Sequence, residues 1–160
     1  MPEAGDTPEP ATDFDAFWAF AGALWANPAA RERLMHWQDG FDVDVMLVSF
    51  ALWYPHPLGA SQWHALRQTA RHWNTSRTAR IRALRRRLHT PDRNPLYRAV
   101  LELELQSERL AALQLLAHAS RVTGQVDGPA VIDPERRLCT LFPDLPDTEI
   151  RDGLREFTAA

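Results

Sequence analysis

Six arginines occupy the twelve residues of RTARIRALRRRL, Arg77 to Leu88, in a chain of 160 residues that contains no lysine. Guanidinium groups bind carboxylates and phosphates through paired N–H donors. Such a strip therefore either grips an external anion or is answered by the protein's own acids. Acceptors for the second case exist: Glu104 and Glu108 in ELQSER are spaced i,i+4, which puts both on one side of a helix. At about 100° per residue, Arg77 and Arg80 share a side with Ile81, Leu84 and Leu88, while Arg82, Arg85 and Arg86 point elsewhere. An apolar side is expected to be buried, and a buried arginine must be paired, because an isolated buried charge costs several kcal/mol. The expectation is a structural ion-pair cluster of Arg77 and Arg80 with Glu104 and Glu108. Arg82, Arg85 and Arg86 are then left for an anion or a partner, and Arg80→Ala should destabilise the fold.

Other chemistry finds less support. The six histidines, His36, His56, His64, His72, His89 and His118, form neither His-Glu-x-x-His nor Glu-x-x-His, so no metal site is expected. Cys139 has no histidine near it in sequence and reads as a filler thiol. Seven scattered glycines build no phosphate loop, and no cofactor is expected. Asp42 and Asp44 read as acids complementing the N-terminal dipole of the helix that follows them. No catalytic residue is named.

The elements that must position these residues are helical throughout. Phe14, Phe17, Phe20, Ala21, Leu24 and Trp25 recur at helical spacing, with Thr12 or Asp13 as N-cap and Asn27-Pro28 as the end. AARERLMHWQD is a second helix, stopping at Gly40. Val45 to Tyr54 is apolar except for Ser49 and reads as a buried helix, since ten residues fall short of the roughly 20 that cross a bilayer. Ser61 is the expected cap of the next helix, Asn74-Thr75-Ser76 an expected break or kink, and TPDRNP (90–95) a loop. From Leu96 to Val122 runs a long helix with two apolar stripes, one through Leu96, Val100, Leu103 and Leu110 and another through Leu101, Leu105, Ala112 and Leu116. A helix apolar on two sides is expected at the centre of its bundle. DTEIRDGLREF forms a short amphipathic helix near the C-terminus. No stretch alternates apolar and polar residues with β-branched enrichment. The expected fold is all-α, a single-domain bundle of five to seven helices. Residues 1–12 are an expected disordered tail, 13–123 the bundle and 124–160 an extension.

Charge is segregated beneath a net −3: residues 1–44 carry nine acids and two arginines, 67–98 ten arginines and one acid, and 99–160 eleven acids and six arginines. A pI near 6.0 argues against a dedicated nucleic-acid domain, and no aromatic residue interleaves with the outward arginines to stack bases. One cysteine excludes an internal disulfide, and the N-terminus has no basic start with an apolar run. The expected compartment is the cytoplasm, without membrane insertion.

The succession FWAFAGALWANP, WQDGFDVDVMLVSFALW, HW followed by RIRALRRRL, and ELQSER resembles a small bacterial family catalogued as domain of unknown function 2390. The resemblance spans about residues 14–118. It rests on Phe17, Trp18, Gln38, Gly40, Asp42, Val43, Trp53, Trp73, Arg82, Arg85, Glu104, Glu108 and Arg109. It implies a small helical protein and no assigned activity.

The functional expectation is a non-enzymatic helical interaction or accessory factor whose partner is another protein or a second copy of the chain. Arginine-mediated binding of nucleic acid or a phosphorylated ligand is the alternative. An enzyme using the Arg/Glu cluster is the third reading, and it requires a concave pocket lined by Glu104 or Glu108.

Overall fold

Helix ends in this chain are set by short polar side chains. The computed structural model describes residues 13–88 and 95–159, so the expected tail 1–12 and loop residues 90–94 lie outside it. α1 (Asp13–Ala26) carries Asp13 and Asp15 in its first turn. Asn27 ends α1 and caps α2 (Pro28–Phe41): its side-chain oxygen accepts the Ala30 N–H at 3.0 Å, and Pro28 takes the first helical position, where no N–H is needed. α2 passes through Gly40, the expected stop, and ends at Asp42, whose φ of 54° is left-handed and tolerated by aspartate. Asp44 opens α3 (Val45–Trp53), accepting the Leu47 N–H at 3.0 Å. The two aspartates expected to share one helix N-terminus thus divide between the end of α2 and the start of α3.

α4 (Ala60–Trp73) begins at Gly59, ahead of the expected cap Ser61. Gly59 donates its N–H to Gln62 Oε1 at 2.8 Å, and a Cβ at Gly59 would come within 2.5 Å of the Asp127 carbonyl oxygen. Only glycine fits there. Instead of a break, residues Asn74–Thr78 form a π-helical segment that joins α4 to α5 (Ala79–Arg87) as one rod. The hydroxyls of Thr75 and Ser76 donate to the carbonyls of Arg71 and His72 at 2.9 and 2.6 Å, bonding oxygens that an i→i+5 turn loosens. A π turn holds one extra residue and so sets everything after it back by about 100° relative to an α-helix. The inward row runs Trp63, Leu66 and Ala70 and resumes at Thr78, Arg82 and Arg85, one position later than the uninterrupted series through Arg77, Ile81 and Leu84.

α6 (Pro95–Val122) turns Val100, Glu104, Ser107, Ala112, Leu115 and Ala119 inward. Both expected apolar stripes lie mainly outside: Leu101, Leu103, Leu105 and Leu110 are exposed. α6 is therefore a wall, and the central element is α3, with Leu47 through Ala51 buried on every side.

α7 (Pro134–Leu141) and α8 (Asp147–Thr158) place Leu138, Leu141, Ile150 and Phe157 in the same core cluster, so the expected boundary at 123/124 is no packing boundary. Arg33 on α2 forks onto Glu156 at 2.9 and 2.8 Å and reaches Glu149 at 2.9 Å, which also accepts the Trp37 indole N–H at 3.0 Å. Arg137 is buried, donating to the carbonyls of Ala51, Tyr54 and Val131 at 2.9, 2.7 and 3.0 Å with its guanidinium 4.8 Å from the Trp63 ring centre. It closes the C-terminus of α3 in place of a glycine. The chain is an all-α, single-domain bundle of seven helices among the described residues, counting α4 through α5 once, and none of these is long and apolar enough to cross a membrane.

Candidate ligand cleft

Where α5 meets α6 the packing is polar. Thr78 Oγ1 and Ser107 Oγ are hydrogen-bonded at 2.8 Å, and the Trp73 indole donates to the Ser107 carbonyl at 3.0 Å. One and two turns further along, Arg82 Nε donates to Glu104 Oε1 at 2.9 Å, Arg85 Nε donates to Glu104 Oε2, and Arg82 Nη2 lies 3.5 Å from Glu108 Oε1. Glu104 is 7% exposed, and both of its oxygens are occupied.

This overturns the expected pairing. Arg77 is exposed and lies over the Trp73 ring at 4.6 Å, and Arg80 is exposed and makes no ion pair among the described residues. Arg82 and Arg85, expected to be free for an anion, are the arginines that Glu104 and Glu108 receive; Arg86 remains exposed. The π segment is the physical reason, because it rotates Arg82 and Arg85 inward and Leu84 outward.

The ion-pair cluster is the floor of a cleft of about 680 Å³ between α1, α2, α3, the α4–α5 rod and α6. Its apolar lining comes from Trp18, Gly22 and Trp25 of α1, Met35 of α2, Met46 of α3 and Leu101 and Leu105 of α6. The leucines that sequence periodicity assigned to a second buried stripe thus face this space. Arg109 braces α1 from outside, its guanidinium 5.7 and 5.6 Å from the Phe14 and Trp18 ring centres. Two polar groups join the floor. Asp44 enters with its capping carboxylate, and the Asn74 amide oxygen is shielded from solvent without a hydrogen-bond partner among the described residues.

The three carboxylates are not shifted alike. Burial alone would push Glu104 up, yet hydrogen bonds from Arg85 and Arg82 outweigh it, and its carboxyl sits below the usual range. Burial and then the neighbouring Glu104 charge push Glu108 up, with Arg82 partly opposing. Burial also pushes Asp44 up, against the backbone N–H groups of Leu47 and Met46 and the Arg82 charge. Neighbouring carboxylates displaced in opposite directions can hold an anion and a proton side by side, the arrangement that binds a polar head or exchanges a proton with it.

Elsewhere the chemistry is thin. Among the described residues no cluster of three or more His, Cys, Asp or Glu could hold a metal. The Cys139 thiol is pushed up by burial and by the charges of Asp147 and Glu135, which disfavours the reactive thiolate. Sequence reasoning did not assign Trp18, Met35, Asn74, Leu101 or Leu105 to a site. The available signal was the hydroxyl-rich run at 74–76, which marks a π turn as readily as a break.

No curated protein and no solved structure matches the chain. A family described as protein of unknown function (DUF2390) matches residues 16–115, and every residue lining the cleft falls inside that segment. By this match over more than half of its length, the chain belongs to the DUF2390 family.

Proposed function

We propose that the protein binds a small amphiphilic molecule in the cleft. One observation carries the reading: a cavity of about 680 Å³ has aromatic and aliphatic walls converging on a few charged and polar groups. That size and division of labour are typical of ligand sites, where apolar walls supply affinity and sparse polar groups supply orientation. Wall leucines left exposed by the fold, Leu101 and Leu105, would be covered by such a ligand. Gly22 provides a test. A Cβ there would meet nothing within 4 Å, so Gly22→Leu adds a bulky side chain to the cleft lining from an uncrowded position and also removes a helix-interior glycine. The expected result is a protein that melts no lower than wild type but loses ligand-induced quenching of tryptophan fluorescence. Undiminished binding in Gly22→Leu would place the ligand elsewhere.

A second reading, the protein-interaction factor, is favoured by Leu96, Leu103 and Leu110, exposed at 57%, 52% and 49% and spaced seven residues apart on the outer side of α6. It predicts self-association or partner capture that Leu103→Glu abolishes; a monomer by sizing at all accessible concentrations argues against a homo-oligomer. Nucleic-acid binding is supported less, because Glu104 and Glu108 engage Arg82 and Arg85.

A further inference from the structure

The floor of the cleft is short of one positive charge and rich in acceptors. Asp44, Glu104 and Glu108 face Arg82 and Arg85, three acids against two bases. Among the described residues, the other charged groups lining the cleft are Asp39 and Glu102 against Arg86 and Arg98, which balance. Glu104 is fully used by the two guanidiniums, so the shortage falls on Asp44 and Glu108. Glu108 has only the 3.5 Å approach of Arg82, and Asp44 receives backbone N–H groups from the first turn of α3. The Asn74 amide oxygen also lacks a donor among the described residues, but it is shielded from solvent and so from a ligand's head. An anionic head would add a charge of the sign already in excess, and a neutral head would leave that excess to be met by protons on Asp44 or Glu108.

We infer that the ligand is a cationic amphiphile, a primary amine whose ammonium group enters between Asp44 and Glu108 while its apolar body lies along Trp18, Trp25, Met46, Leu101 and Leu105. This rests on the cleft being a ligand site and narrows it to one head-group chemistry. A primary ammonium brings three N–H donors and one positive charge, which suits the carboxylate oxygens of Asp44 and Glu108 and a deficit of one. Beside partly buried carboxylates the charge pairing is stronger than at the open surface. The displaced carboxylates follow from the same shortage: with no cation present, Asp44 and Glu108 hold protons more readily, and amine binding releases them.

The test uses the full chain and three probes of equal chain length, decylamine, 1-decanol and decanoate, titrated below their micelle concentrations and followed by tryptophan fluorescence and calorimetry. Decylamine is expected to bind at least about tenfold more tightly than decanol, with decanoate weakest, and its heat should vary with buffer ionisation enthalpy because protons are released. In Asp44→Asn, which keeps a side-chain acceptor for the cap, and in Glu108→Gln, the amine-to-alcohol ratio should collapse toward one while the melting transition persists. Equal affinity for the three probes, or a preference for decanoate, overturns the amine assignment and leaves the cleft as a ligand site. No binding of any probe by wild type, or binding that Gly22→Leu leaves unchanged, overturns both.

Discussion

The π segment makes a prediction that a single pair of substitutions decides, because it exchanges the roles of two arginines two residues apart. On an uninterrupted helix Arg80 borders the side of Ile81 and Leu84 that would meet α6; the observed rod turns Arg82 there. Arg82→Ala removes one of the two guanidiniums on the buried Glu104 and the one approaching Glu108. Hydrogen bonds to charged groups contribute about 1.5–3 kcal/mol each. The Arg82–Glu104 bond joins side chains only 19% and 9% exposed and keeps most of that value, whereas the Glu108 contact is long and its carboxylate more exposed. The expected cost is about 2–3 kcal/mol, against less than about 0.5 kcal/mol for Arg80→Ala, a surface substitution with no ion pair to lose. Urea unfolding at neutral pH, followed by tryptophan fluorescence, measures both as midpoint shifts at constant slope. For a chain of this size the Arg82 variant should melt roughly 5–10 °C lower. An equal or larger cost for Arg80→Ala would falsify the π-shifted register and restore the pairing expected from periodicity.

Glu108→Gln addresses the floor of the cleft. Glu108 has a folded pKa above its unfolded one, so its ionisation costs nothing below the unfolded value, grows costly between the two and is fully costly above the folded value. Glu108→Gln should therefore raise stability near neutral pH and lose that gain as the pH falls to about 4, the ordinary glutamate range; a gain that grows in acid would contradict the buried-acid account. Arg137→Met should lower stability by about 3 kcal/mol or more, because it strands the carbonyls of Ala51, Tyr54 and Val131 in a buried place; chemical denaturation measures it, and a neutral result would mean that water serves these oxygens equally well. Gly153→Ala should destabilise the docking of α8, because its Cβ would overlap the Trp37 ring, and hydrogen exchange in α8 should quicken first.

Much of the chain could be read locally. Asn27, Asp44 and the prolines at 28 and 95 place helix ends from their own chemistry, and the apolar run at 45–54 is buried in the structure as its composition requires. Glu104 and Glu108 were recognisable as acceptors because i,i+4 spacing depends on one helix alone. The arginines that reach them were not, because their direction depends on helical phase carried across residues 74–78, and one extra residue in that turn reverses the answer. The leucines of α6 misled for a related reason. Periodicity identifies an apolar side, but whether that side meets a neighbour, a cleft or solvent is settled by where the other helices lie. Element type, the helix ends at Asn27 and Asp44, and the presence of the ion-pair chemistry were thus determined by the sequence itself, through interactions within a few residues. Which arginines close the floor, and that Asp44, Asn74 and the α6 leucines surround one cavity, was decided only when five elements packed together, because convergence over long sequence separations leaves no local trace.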